Sequence, residues 1–522
     1  MPERTRKIFP GFSYSAEEYE RIRNGFRPTV MEDKWFIFWE SDVLYFHRSW
    51  TGWCAYKVAF TKDGDSMKTG EVEVNGDTSQ YSGMEDDYEA SVLGYLIDIL
   101  LLGRKREPPQ PAGMEKEQAA LFLWSVMGRA SLDGYRNEEV RDTGVKRPPS
   151  PDRGPDDAGL EDVMWALFDR KIIDARESPQ FLRPAPPLSR SRETLKDRVR
   201  GMLVGLAIGD SLGNTSESML PAQRAALYGE VRDYLPNRHA GGKRIGLPSD
   251  DTQLSFITLR EILRNGRIAP DKLAEAFAAD RIIGIGSTVK DFIRVLKSGV
   301  PWYRAGRASA GNGALMRVPP LLLPALRDGG TGLWADLVVG SMITHNDSAS
   351  IASCGAFGTI LRELMEMDRT PLREWWVARF TEVAAEVETE RVYGFRGGPF
   401  NDCSGTISEC VNLLVPEALR RGMEAAAACG RWYSGAYLFE TVPSVLFILS
   451  KYGNDPEEAI ARAVNDTWDN DTAASVVGAA IGALHGFSAL PKRWAKGLSG
   501  RYTTATAESL FQLADQAEAR FI

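Results

Sequence analysis

Two short runs of oxygen-bearing residues, Ser249-Asp250-Asp251-Thr252 and Asp469-Asn470-Asp471-Thr472, are the parts of this 522-residue sequence best equipped for chemistry. Each sets two carboxylates beside hydroxyl or amide oxygens, the donors that a hard divalent cation takes. Three further places offer complementary groups. Glu217 ends the stretch Gly209-Asp210-Ser211-Leu212-Gly213-Asn214-Thr215-Ser216-Glu217 and delivers a carboxylate beyond a tight apolar helix. Gly311-Asn312-Gly313 sets two glycines around an amide and would leave backbone N–H groups open to an anion such as phosphate. His345, one of four histidines, stands at a polar junction in Thr344-His345-Asn346-Asp347. Each place also has a plain structural reading. Both acidic runs precede helical sequence, where Ser, Asp and Asn cap the free N–H groups and suit the dipole. The glycine segments read equally as turns, and the histidine as a helix cap.

The elements that must position these residues divide the sequence in three. Aromatic and β-branched runs at 35–39, 43–47, 53–60 and 71–74 predict an antiparallel meander, and a helix is expected over about 88–102. Residues 1–105 therefore read as a small α+β domain. Residues 106–190 form a Pro-rich linker with helical segments near 115–129 and 161–169. From 191 to 522 apolar residues recur at three- and four-residue spacing, over 199–208, 254–263, 273–279, 338–343, 351–367, 442–449 and 459–464, which predicts one all-α domain. Its glycine-bearing helices would allow close backbone approach. A formal net charge of −8 leaves no footprint for nonspecific nucleic-acid binding. Five cysteines, none in a CxxC pair, read as reduced thiols, and no membrane segment or signal peptide is expected, which implies a cytoplasmic protein.

In this order the motifs resemble the ADP-ribosylglycohydrolase family, which includes the dinitrogenase reductase-activating glycohydrolases, over about residues 195–487. The resemblance implies an all-α domain with two Mg2+ (Mn2+ in some members) at the bottom of a cleft. Ser249, Asp250, Asp251, Asp469, Asp471 and Thr472 would be ligands. Asp250 and Asp251 would handle the proton. Glu217, on a loop that moves in some relatives, would join Gly311, Asn312, Gly313 and His345 at the substrate. The reaction implied is hydrolysis of the bond between ADP-ribose and an acceptor, most simply a protein side chain such as arginine. Such cleavage passes through an oxocarbenium-like state and needs a nucleophilic water and help for the leaving group.

Some positions depart from the family pattern. Thr467-Trp468 replace the usual glycine pair before the last acidic run, so the pocket is expected to differ in shape. Residues 391–429 fit poorly and are expected to form part of the substrate rim. The strands around His47, Arg48, Trp50 and Trp53 supply either the core of a small sheet or a face for a partner protein. Against the enzyme stands a second reading, a non-catalytic ADP-ribose binder or an immunity-type protein that blocks an ADP-ribosyltransferase. The complete carboxylate set favours the enzyme.

Overall fold

In a computed structural model the chain is described at residues 2, 4–26, 34–104, 106, 109 and 159–522, apart from 50–51, 65, 78–79, 82–84, 186, 329–331, 397–403 and 504–506. It divides into two compact units, Met1–Arg141 and Asp142–Ile522. The helix expected near 115–129, together with Trp50 and Cys403, lies outside the described residues.

The first unit is built on an antiparallel sheet of six strands: β1 (Thr5–Ile8), β2 (Ser13–Ser15), β3 (Trp35–Glu40), β4 (Val43–Arg48), β5 (Cys54–Asp63) and β6 (Ser66–Asn75). Its order is β1-β6-β5-β4-β3, with β2 also on β6. Alternation buries Trp35, Ile37, Leu44, Phe46, Tyr56, Val58, Val72 and Val74 in one core with residues of helices α1 (Ala16–Arg23) and α2 (Asp86–Leu96). Phe36, Phe38, Tyr45 and His47 fall on the alternate positions of β3 and β4 and stack across them, with Phe38 and Tyr45 5.2 Å apart. Thus Trp35 is core, whereas Trp53 remains 41% exposed and the His47 ring nitrogen Nδ1 meets the Gly52 carbonyl at 2.7 Å. The expected meander is β3 to β6. β1 and β2 are additions, because Thr5-Arg6-Lys7-Ile8 has little apolar character and becomes a strand by pairing with Val72–Asn75 of β6.

Among its described residues the second unit's regular elements are helices apart from two-residue ribbons pairing Pro236–Asn237 with Lys243–Arg244 and Tyr393–Gly394 with Ser404–Gly405. The linker's second helix forms at Leu160–Asp169 and packs on Gly332–Met342 within this unit. Four helices position the site: α3 (Arg192–Gly213), α4 (Pro221–Tyr228), α5 (Asp250–Asn265) and α6 (Asn470–His485). Among the described elements, α3 and α6 share the most extensive interface. They run antiparallel with backbones nearly touching, so that Gly201 lies on Gly482, Gly205 on Gly478, and Gly209 on the Ala474 carbonyl. A methyl at any of these glycines would overlap the facing backbone. The interface delivers the C-terminal end of α3 to the N-terminal end of α6.

Candidate functional site

The ends of α3, α5 and α6 converge, and each brings a buried carboxylate. Asp210 lies in the last turn of α3, Asp251 in the first turn of α5 and Asp471 in the first turn of α6. One oxygen from each fits within 4.8 Å of the other two, and Glu217, Asp469 and Asp471 form a second such group. Two carboxylate triads therefore meet at Asp471. Asp210 is held from all sides: it accepts the Ser249 N–H at 2.9 Å, the Ser249 hydroxyl, the Thr252 N–H at 3.2 Å, the Thr252 hydroxyl at 2.5 Å and the Asn214 amide at 2.9 Å. Asp251 is the opposite case. Its Oδ2 receives only the Thr472 hydroxyl at 3.4 Å, and its buried Oδ1 has no partner. An orphaned carboxylate oxygen facing other carboxylates, with oxygen donors alone around it, is what a divalent cation site requires.

Electrostatics tell the same story. Burial pushes the carboxyl groups of Asp210, Asp251, Asp469 and Asp471 up from their ordinary range. At Asp251 the charges of Asp250, Asp210 and Asp469 add to this, and at Asp471 those of Glu217, Asp469 and Asp251. Asp250 is pushed up to about 8, first by desolvation and then by Asp210 and Glu217. It stands outside both triads, with its Oδ1 toward Gly284, where a side chain would come within 2.8 Å of it. Glu217 rises to about 7, because protein around its carboxyl displaces water and Asp469 and Asp210 repel its charge. Such mutual repulsion is what bound cations relieve.

The Glu217 loop is bolted on both sides. Beneath it the fully buried Arg224 of α4 donates to the Ser216 hydroxyl at 3.0 Å, to the Met219 carbonyl at 2.9 Å and to the Thr467 carbonyl at 2.9 Å. Desolvation lowers its pKa to about 10, leaving it a cation. On the other side the Trp468 indole N–H donates to the Ser218 carbonyl at 2.9 Å, and its ring lies 4.4 Å from that of Tyr433. Ser218, Tyr433 and Ser434 all take positive φ, of 66°, 77° and 47°. Ser434 accepts the N–H groups of Trp468 and Asp469, so this strained turn sets the entry to α6.

The Gly311-Asn312-Gly313 turn faces His345. The N–H of Gly311 donates to the Ser309 hydroxyl and that of Asn312 to the Ala436 carbonyl, both at 3.3 Å, so these two are engaged within the chain. Neither is the open donor that the sequence suggested. The Asn312 amide instead holds Asp469 at 2.5 Å and Thr441 at 2.9 Å. A side chain at Gly313 would come within 3.0 Å of the His345 ring, so glycine permits this approach. Fully buried Arg317 donates to the Gly313 and Gly340 carbonyls and, at 2.5 Å, to the Thr344 hydroxyl, which lies 2.9 Å from His345 Nδ1. The Thr344 hydroxyl, accepting from Arg317, thus anchors Nδ1 and leaves the Nε2 side of a neutral His345 ring toward the glycine turn. Burial and the Arg317 charge hold His345 down at about 3, consistent with that neutral form.

The structure thus gathers Asp251, Asp469, Asp471 and Glu217 and adds Asp210. The sequence signal for Asp210 was present, but a polar turn was expected where α3 continues to Gly213. Ser249 and Asp469 do occupy helix N-caps, yet neither side chain makes a capping bond. Ser249 is committed to Asp210, and Asp469 to Asn312. Arg224 gave no signal, and Arg317 stood in the motif that runs from Gly311 without a role assigned to it. In the 391–429 segment, Arg391 bridges Asp174 and Asp347, and Arg396 pairs with buried Glu440 over the Tyr437 ring. Among the described residues Cys54, Cys354, Cys410 and Cys429 form no disulfide, and no helix is long and apolar enough to cross a membrane.

With this geometry in place, a profile of the ADP-ribosylglycohydrolase family matches residues 191–520. An uncharacterized protein of Archaeoglobus fulgidus is 29% identical over 328 residues, covering 61% of this chain and 97% of its own. The ADP-ribosyl-[dinitrogen reductase] glycohydrolase of Rhodospirillum rubrum is 26% identical, covering 58% and 90%. The ADP-ribosylarginine hydrolase Tri1 of Serratia proteamaculans is 26% identical, covering 66% and 86%.

Proposed function

The chain belongs to the ADP-ribosylglycohydrolase family, and from that premise we propose that it is a metal-dependent hydrolase that releases ADP-ribose from a protein side chain, arginine first among the acceptors. The observation that carries this reading is the pair of carboxylate triads sharing Asp471, with a buried, unpartnered oxygen on Asp251 of the first triad. Two names among the relatives, a dinitrogen reductase glycohydrolase and an ADP-ribosylarginine hydrolase, support the acceptor.

Asp251, Asp469 and Asp471, with the hydroxyls of Ser249 and Thr472, would hold two Mg2+ or Mn2+. Divalent cations supply grip on the ribose hydroxyls and an acidified water. Everything else falls to the chain. Asp250, outside both triads with its Oδ1 toward Gly284, is the member of the Asp250–Asp251 pair left to move a proton during cleavage. The Nε2 side of His345 and the Gly311-Asn312-Gly313 turn it faces would line the place of the diphosphate. Glu217 closes the cleft from its bolted loop. The docked acceptor is an ADP-ribosylated protein, and the N-terminal sheet is available to a partner protein.

The test is ADP-ribose release from an ADP-ribosylated arginine substrate with Mg2+ or Mn2+, beside an Asp250→Ala, Asp251→Ala double variant. Release by the wild type alone supports the reading. Equal, negligible release by both from arginine, serine and nucleic-acid acceptors, with ADP-ribose still bound, identifies a non-catalytic binder instead.

A further inference from the structure

A cleft of about 600 Å3 opens beside Glu217 and Ser249, and its outer wall is Tyr228 at the end of α4 with Arg238 and His239 of the 236–244 ribbon. Arg238, His239, Lys243 and Arg244 are all exposed. Among the described residues none of the three full cations is in an ion pair, whereas nearby Arg232 is bound to Glu230 and Glu458. The ribbon's tip carries Gly241 and Gly242 at positive φ, each with open space where a side chain would be. Beside it Leu227 is 62% and Tyr228 39% exposed, and Leu220, at the other end of the same helix, is 44% exposed. Single exposed apolar residues are ordinary. Arg238 Nε donates to His239 Nε2 at 3.1 Å, and the three apolar residues on this short helix and its N-cap, next to three cations outside any ion pair at the mouth of a cleft, form a patch.

We infer that α4 and the 236–244 ribbon are the docking surface for the acceptor protein, and that the segment flanking its modified side chain is acidic with an adjoining apolar residue. This rests on the proposed hydrolysis of a protein-linked ADP-ribose. An acidic partner meets a chain of net charge −8, so an unpaired basic ribbon at the cleft supplies both local attraction and orientation. The apolar helix fits a protein segment better than a nucleic acid, which calls for a longer row of cations interleaved with stacking rings.

Two peptides ADP-ribosylated on one arginine test the inference on the full chain. One has Glu and Leu flanking the arginine; the other has Gln and Ala. Free ADP-ribosylarginine is the basal substrate. The expected result is a preference for the acidic peptide of about tenfold in kcat/KM at low salt, shrinking as salt screens it. Lys243→Glu with Arg244→Glu abolishes that preference and leaves free ADP-ribosylarginine unchanged; Leu227→Ala lowers kcat/KM for the Leu-bearing peptide alone. A preference that survives the double charge reversal overturns the inference, as does a charge reversal that slows only an ADP-ribosylated oligonucleotide. If no substrate is cleaved, the proposed function fails separately. Fluorescence anisotropy of the two labelled peptides on wild type and double variant then decides the docking surface, and equal affinities refute it.

Discussion

Gly213→Ala tests whether the α3–α6 contact builds the site. Gly213 has φ −81° and ψ −47°, so alanine suits its backbone, and the helical preference for alanine favours the change by up to about 1 kcal/mol. Space opposes it. A Cβ at this position lies 2.5 Å from Asp471 Cα, 2.6 Å from its N and 2.8 Å from Asn470 C. Carbon atoms rest at about 3.5 Å, so the start of α6 has to retreat by about 1 Å. Overpacking of this kind costs about 1–3 kcal/mol, which exceeds the helical gain over most of its range. The functional effect is larger than the effect on stability, because Asp471 belongs to both triads and Mg2+ tolerates little change around oxygen distances of about 2.0–2.1 Å. Calorimetric titration with Mg2+ or Mn2+ is expected to show affinity at least about tenfold weaker, with chemical denaturation reporting the smaller loss of stability. Gly430→Ala is the control. It lies within the Ala425–Arg431 helix with open space around it and is expected to stabilise by about 0.5–1 kcal/mol. If Gly213→Ala binds the cation as tightly as wild type, the helix contact does not set the carboxylate spacing.

Four further expectations follow from the same structure. Without divalent cation, thermal stability falls as pH rises from about 4 to about 8: the Asp250 pKa goes from 3.8 to about 8 on folding, so the native state holds the extra proton in that window and loses this advantage as it titrates. Saturating Mg2+ reverses the trend, as scanning calorimetry across pH will show. Asp251→Asn removes repulsion from an unpartnered carboxylate and raises the melting temperature of the metal-free protein while abolishing the Mg2+ shift; Asp210→Asn lowers it with or without metal, because its five accepted bonds are disturbed. Arg317→Met strands the Gly313 and Gly340 carbonyls and the Thr344 hydroxyl, costing about 2–4 kcal/mol, and nitrogen NMR of His345 shows a changed balance of its two ring nitrogens as the Thr344 anchor loosens. Trp468→Phe keeps a ring near Tyr433 but drops the bond to Ser218, so amide exchange over residues 216–219 accelerates with a change in global stability of about 1 kcal/mol or less.

What the sequence made legible was local or ordered. Helix periodicity marked α3 and α5, a run of small residues marked α6, and the glycines of α3 pointed to close approach. The acidic runs were recognisable because hard-cation donors cluster in sequence as well as in space. The misses are long-range. Arg224 and Arg317 look like ordinary helix arginines until the chain brings carbonyls from up to about 240 residues away onto one and a threonine 27 residues away onto the other. The Gly311-Asn312-Gly313 turn has two donors closed by Ser309 and Ala436, the second of which no local pattern announces. β1 was missed for the same reason, since Thr5–Ile8 is a strand only because β6 has a free edge.

The hydrogen bonds also separate two kinds of carboxylate that composition treats alike. Asp210 spends both oxygens on donors from α5 and Asn214, which fixes the angle between α3 and α5 whether or not a cation is present. Asp251 and Asp471 are buried with far fewer donors and repel one another, so their folded positions are held by the helices that carry them and not by their own bonds. A cluster this acidic collapses outward unless its backbone is rigid. The glycine contacts of α3 and α6 provide that rigidity at one end and Arg224 beneath the Glu217 loop provides it at the other. Trp468 joins Arg224 in holding the Glu217 loop, through its grip on the Ser218 carbonyl.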